Sequence, residues 1–139
     1  CRSPMAEFVL KDMVKKLGIA DQFEIASAAT SSEEIGNPVH RGTQKILDGL
    51  GIDYSKKRAT KLKADDYHQY DYLIGMDSAN IRNMQHICGG DSEKKIYKLL
   101  DFTMKGGDIT DPWYSGRFDE TYEDVVEGLK GFLAKRWSI

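Results

Sequence analysis

The sequence predicts an α/β domain in which a small parallel sheet lies between helices on both faces, a three-layer α/β/α arrangement. Short apolar runs alternate with helical stretches along the chain, which is the pattern of a parallel sheet with crossover helices. A serine–proline helix start stands at the very beginning, and one long apolar stripe closes the chain. After Ser3, a residue type favoured as an N-cap, Pro4 takes the first helical position. Met5, Phe8, Val9, Met13 and Leu17 then recur at helical spacing until Gly18. Phe23 to Ser27 reads as a short strand, and after a polar loop from Thr30 to Asn37, Pro38 introduces a second helix with Ile46, Leu47 and Leu50 on its buried side and Gly51 at its end. Asp71 to Met76 is an apolar run suited to a strand covered on both faces. Ser78 begins a helix carrying Ile81 and Met84, and Ile96 to Leu100 makes a weaker strand. From Glu120 onward, Tyr122, Val125, Val126, Leu129, Phe132 and Leu133 form the stripe of the final helix.

With 139 residues the chain fits one domain, residues 1–139. Lys plus Arg total 20 against 22 Asp plus Glu, so a net charge of −2 offers no broad attraction to nucleic acid or anionic lipid. An anion site on this chain must be local. No apolar run approaches the ~20 residues of a membrane span, and no secretion signal is evident, so the expected compartment is the cytoplasm. The two cysteines, Cys1 and Cys88, are too few for a disulfide framework and suit a reducing compartment. His40, His68 and His86 are scattered and no Cys-x-x-Cys pair occurs, so neither a metal nor another cofactor is expected.

In open parallel sheets, ligands bind at the carboxyl ends of the strands. The helix starting at Pro4 points at that crevice, and a strand feeding it is expected ahead of Cys1, because a chain does not normally begin inside a strand-to-helix turn. Arg2 stands beside the helix start, where unpaired N–H groups and the positive end of the dipole favour an anion, and its guanidinium can grip two phosphate oxygens. Taken alone, Arg-Ser-Pro is an ordinary helix cap. Asp111 precedes Pro112 in a loop that follows Gly106-Gly107-Asp108, and such an Asp either shapes a turn or donates a proton. Trp113 and Tyr114 beside it are hard to bury together in a small domain, and next to a phosphate they would wall a slot for an aryl group. Cys88 reads as a helix-end residue, Tyr67, Tyr70 and Tyr72 as partly buried amphipathic side chains, and Lys56-Lys57-Arg58 as a solvated turn.

CRSPMAE at 1–7, SAAT at 27–30, YDYLIGMD at 70–77 and DPWYSGRFDETY at 111–122 resemble, in order and over essentially the whole chain, the low-molecular-weight protein tyrosine phosphatases of bacteria. The resemblance implies a phosphatase I-like fold whose sheet has four parallel strands. It implies a Cys-x-x-x-x-x-Arg-Ser loop in which the first cysteine is the nucleophile and the second precedes the arginine. Cys1 matches the second, so the nucleophile and its strand are expected ahead of Cys1. By position, Cys1 and Arg2 would bind phosphate, Ser3 would orient the thiolate, and Asp111 would be acid and then base in a two-step, metal-free hydrolysis through a cysteinyl-phosphate. Trp113 and Tyr114 would sandwich the phosphotyrosine ring. Ser27 would support the loop, although Lys56 stands where many members place a histidine before Lys57, so Ser27 is expected to bond differently. Glu33 and Glu34 replace an aromatic of the variable loop and would disfavour acidic phosphopeptides.

The implied partners are phosphotyrosine proteins or small aryl phosphates, with inorganic phosphate as product, no nucleic acid or membrane, and a monomer or weak dimer. Three other readings stay open at this point. An arsenate reductase on the same fold needs a further pair of closely spaced cysteines, where this chain has Cys88. A phosphoarginine phosphatase would turn on the residue before Cys1. A non-catalytic phosphate-binding or partner-binding remnant would expose unpaired strand edges.

Overall fold

Helix α1 spans Arg2–Lys16 in the computed structural model, which describes residues 2–30, 35–112 and 116–137. The helix begins before Ser3, the expected cap, and contains Pro4 in its first turn, where a missing N–H costs nothing because it has no carbonyl partner there. Met5, Ala6, Val9, Leu10 and Val14 are buried against the core. Leu17 lies beyond the helix and is 48% exposed, because the chain turns away at Gly18, whose φ is +74°.

Phe23 to Ser27 alternates half-buried and exposed side chains as a strand does, with Phe23 and Ile25 packed on the core. The expected strand is nonetheless absent there. A strand is defined by its neighbour, and among the described residues this segment finds no ladder partner until Ala29 bridges Lys61 in parallel. Helix α2 covers Arg41–Gly49 and starts later than Pro38, which instead pairs with Arg58 in an isolated antiparallel bridge. His40 caps it by accepting the Gly42 N–H on Nδ1 at 3.1 Å. Leu47 is fully buried, whereas Leu50 sits at the C-cap and is 40% exposed rather than part of the buried side.

A short helix α3, Asp66–Gln69, precedes strand β1, Leu73–Gly75. Strand β2, Ile96–Lys98, pairs with β1 in parallel, Leu73 opposite Ile96 and Gly75 opposite Lys98. Among the described residues this is the only ladder, so two of the three expected strands form and each is three residues long. Between them runs α4, Ser78–Cys88, capped by Asp77, whose Oδ1 accepts the Asn80 N–H at 2.8 Å, and closed by Gly89 with φ +75°. After β2 the chain makes a 3-10 turn, Leu99–Phe102, and the final helix α5 spans Phe118–Trp137.

The layers follow from what each face buries. Helices α1, α2 and α5 share one apolar core with Met76, Leu99, Leu100 and Phe102. On the other side, Met84 and Ile81 of α4 pack with Tyr67, Leu73 and Ile96. Two small residues let α5 approach the 3-10 turn closely. A Cβ on Gly128 would lie 2.5 Å from Leu99 Cγ, and one on Gly131 would collide with the backbone carbonyl of Phe102. Backbone cannot move aside as a side chain can. Gly131→Ala is therefore expected to destabilise the fold by about 1–3 kcal/mol through overpacking, read as a lower midpoint in urea unfolding with an unchanged slope.

Candidate active site

The beginning of α1, the carboxyl end of β1 and the loop after the 3-10 turn meet at Arg2. Its Nη1 donates to Asp77 Oδ2 at 2.7 Å and to the carbonyl oxygen of Ile109 at 2.7 Å. The two charged side chains are 11% and 22% exposed, so this is a short, charge-assisted and largely desolvated contact. Asp77 lies two residues past the β1 end and caps α4 with its other oxygen, so one carboxylate joins the starts of two helices. A guanidinium carries five N–H donors. Both of these contacts use Nη1, and the neighbouring Ser3 is half-buried in the first turn of α1.

The loop leading to Asp111 is fastened residue by residue. Asp108 Oδ1 accepts from Ser78 N and Oγ, both at 3.1 Å, and from Lys98 Nζ at 3.0 Å. Ile109, 1% exposed, donates its N–H to the Met76 carbonyl at 2.9 Å while its own carbonyl receives Arg2. The Thr110 carbonyl accepts from Thr121 Oγ1 of α5 at 3.1 Å. Asp111 follows half-buried, and Pro112 is buried with its carbonyl accepting the Gly116 N–H at 2.8 Å. The Lys98 contact holds the Asp108 carboxyl below its ordinary value, and Asp108 in turn raises Lys98.

Arg2 and the segment carrying Asp111 are thus brought together, as the sequence led us to expect. Cys1, Trp113, Tyr114, Glu33 and Glu34 lie outside the described residues. Ser27 belongs to a different cluster. Its Oγ donates to Glu7 Oε1 at 2.6 Å, and Glu7 also receives Lys11 Nζ at 2.6 Å and Lys57 Nζ at 2.9 Å. Lys57 donates to the Ser27 carbonyl as well, at 2.9 Å. Glu7 lies five residues after Arg2, roughly 140° around the helix axis, so the two charged anchors grip nearly opposite sides of α1.

Lys57 corrects the reading of 56–58 as a solvated turn: Lys56 and Arg58 are exposed, but the Lys57 side chain is only 16% exposed because Glu7 draws it inward. Burial works to raise the Glu7 carboxyl, and the hydrogen bonds from Lys11, Ser27 and Lys57 outweigh it and leave the group below its ordinary value. Cys88 ends α4 against the second apolar cluster, and burial pushes its thiol up, away from reactivity.

Sequence reasoning missed Asp77, although it stands where a parallel strand ends and a helix begins, which is itself a signal. It missed Glu7 and Lys57, whose pairing spans 50 residues and has no local signature. A cleft of about 790 Å³ opens between the starts of α2 and α5, with Arg41, Lys45 and Arg117 on its walls and the His40 and Phe118 rings stacked 5.2 Å apart. Among the described residues no group of His, Cys, Asp or Glu side chains could hold a metal ion, and no helix is long and apolar enough to cross a membrane.

An arginine at a helix start, tied to the carboxyl end of a parallel strand and to a late loop, sits where an α/β fold binds ligands, and the comparisons with known proteins give the class as an α/β phosphatase. The family model of low molecular weight phosphotyrosine protein phosphatase matches residues 1–136. YfkJ of Bacillus subtilis, a low molecular weight protein-tyrosine-phosphatase, is 35% identical over 136 residues, covering 96% of this chain and 87% of the relative. PtpA of Staphylococcus epidermidis, of the same description, is 36% identical over 134 residues, covering 96% of this chain and 84% of the relative. The YfkJ crystal structure superimposes with a TM-score of 0.94 at 34% identity, over 99% of this chain and 88% of that one. The Streptococcus pyogenes low molecular weight phosphatase SP-PTP gives 0.86 at 40% identity, over 98% and 85%. The chain belongs to the low-molecular-weight protein tyrosine phosphatase family and is a phosphatase.

The Glu7 cluster makes a prediction about acid stability. A carboxyl whose folded value is depressed contributes stability that is fully present above its unfolded value, 4.5, and is lost as pH falls through the folded value. Glu7→Gln is expected to cost about 2–3 kcal/mol at neutral pH by leaving the lysines unpaired. That cost should shrink progressively below the ordinary carboxyl value, a convergence checked by urea unfolding of both proteins across acid pH.

Proposed function

We propose that Arg2 and the first turn of α1 hold the phosphoryl group of phosphotyrosine and that Asp111 supplies and then recovers the proton of its hydrolysis. The observation that carries this reading is the Arg2 Nη1 contact with the Ile109 carbonyl, which brings the guanidinium to a loop 107 residues away in sequence and two residues short of Asp111. The nucleophile is the family's loop thiol, whose position lies ahead of Cys1. Its thiolate attacks phosphorus, the bond from phosphorus to the tyrosine oxygen breaks, and Asp111 protonates the departing phenolate. Asp111, now ionised, takes a proton from water as that water attacks the cysteinyl-phosphate, releasing inorganic phosphate and the thiolate.

Arg2 adds two N–H donors to the oxygens on which charge accumulates, and the N-terminal end of α1 adds its dipole. In this reading Ser3 orients the thiolate, the backbone at Cys1 completes the phosphate cradle, and Trp113 and Tyr114 flank the aryl ring. Ser27 supports the assembly through Glu7 rather than through a histidine. Aryl phosphates and phosphotyrosine proteins are the substrates. The enzyme works as a monomer or weak dimer in the cytoplasm, the reducing compartment that suits a thiol nucleophile.

The test is leaving-group dependence in the full-length protein. Asp111→Ala is expected to depress kcat/KM for phenyl phosphate by about a hundredfold or more, and far less for dinitrophenyl phosphate, whose leaving group needs no proton. An equal loss for both removes Asp111 from the acid role.

A further inference from the structure

Three residues before Asp111 stands a second carboxylate, Asp108, which has no part in the chemistry described so far. We propose that Asp108, held by Ser78 and Lys98, is a positioning residue that fixes the orientation of the Asp111 loop for proton transfer. The inference rests on the reading of Asp111 as general acid.

The geometry is that of a two-point attachment. The start of α4 and the acid loop are joined through Arg2, which bridges Asp77 and the Ile109 carbonyl. The backbone joins the same segments through the Ile109 N–H and the Met76 carbonyl, and Asp108 Oδ1 adds a side-chain attachment one residue along each segment, accepting from Ser78 N and Oγ. Lys98 locks this attachment from the end of β2, donating to Asp108 at 3.0 Å and to Ser78 Oγ at 3.2 Å. The Arg2 and Met76 contacts both meet the single residue Ile109, whereas the Asp108 contacts fix the neighbouring residue and so the direction in which the loop leaves it.

Upstream, Lys105 Nζ ties the loop to Asp124 of α5 at 2.9 Å and the Gly106 N–H donates to Thr103 Oγ1 at 3.2 Å, but neither contact reaches β2 or α4. Gly106 and Gly107 adopt φ of +62° and +84°, Lys105 is exposed, and Met104 is fully exposed, so Asp108 is the first side chain after Thr103 to tie the segment to the strand-and-helix frame around β2 and α4. Downstream, the backbone bonds of Ile109 and Thr110 do not involve the Asp108 side chain. Loss of the latch therefore leaves Asp111 near its place with its carboxyl misdirected. Small misplacements are costly for proton transfer.

The experiment measures kcat/KM in the full-length enzyme over aryl phosphates ranging from phenyl to dinitrophenyl. Asp108→Ala and Lys98→Met are each expected to lose about tenfold on phenyl phosphate and less than about twofold on dinitrophenyl phosphate. Lys98→Arg, which keeps the donor, is expected to retain wild-type dependence on the leaving group. Asp108 is 51% exposed in its side chain, so the variants are expected to fold, which thermal unfolding checks.

A loss that is equal across the series, or no loss at all, overturns the proposal and leaves Asp108 a surface contact. Asp111→Ala, measured alongside, separates the two claims. A steep dependence for Asp111→Ala with a flat one for Asp108→Ala overturns only the positioning role, whereas a flat response for Asp111→Ala removes the acid assignment itself.

Discussion

One nitrogen of Arg2 organises the end of the molecule where α1 begins and β1 ends. Nη1 meets a carboxylate at the tip of β1 and a backbone carbonyl of the late loop, so three segments distant in sequence share a single donor. The contact is largely desolvated, and removing either charged partner would strand the other in a medium of low dielectric. Asp77 therefore does more than cap α4. It anchors the Arg2 guanidinium, and it offsets a positive charge that would otherwise stand beside the dipole end of α1.

The same helix is gripped on its far side by Glu7. A carboxylate that receives Ser27, Lys11 and Lys57 together is satisfied on both oxygens, which is what allows it to lie 4% exposed within an otherwise apolar helix face. Fixing α1 from two directions sets its roll, and with it the aim of the N–H groups of its first turn. The cation that joins Glu7 to the Ser27 carbonyl here is Lys57, an ammonium that donates to both.

Much of this was legible in the chain. The helix periods of α1, α4 and α5 came through because each carries a sustained apolar stripe, and the pairing of Arg2 with the Asp111 loop followed from motif order. Strand pairing came through less well. Phe23 and Ile25 carry the alternation of a strand, but alternation describes a face and not a neighbour, and the ladder is made by whichever segment lies alongside. The boundaries of α1 and α2 shifted because Pro4 and Pro38 permit helix starts without fixing them. Lys57 looked like one cation in a basic run. Only its buried partner on α1 distinguished it from Lys56, and burial of a charge by a distant residue leaves no local pattern.

The aromatic stack between His40 and Phe118 joins the entrances of α2 and α5, the helices that follow the two loops expected to meet substrate. Gly42 lies beneath that stack, and any Cβ placed on it would run into the Phe118 ring. Any side chain at 42 therefore displaces the Phe118 ring or needs a smaller residue at 118, so a change at either position reshapes both banks of the cleft at once.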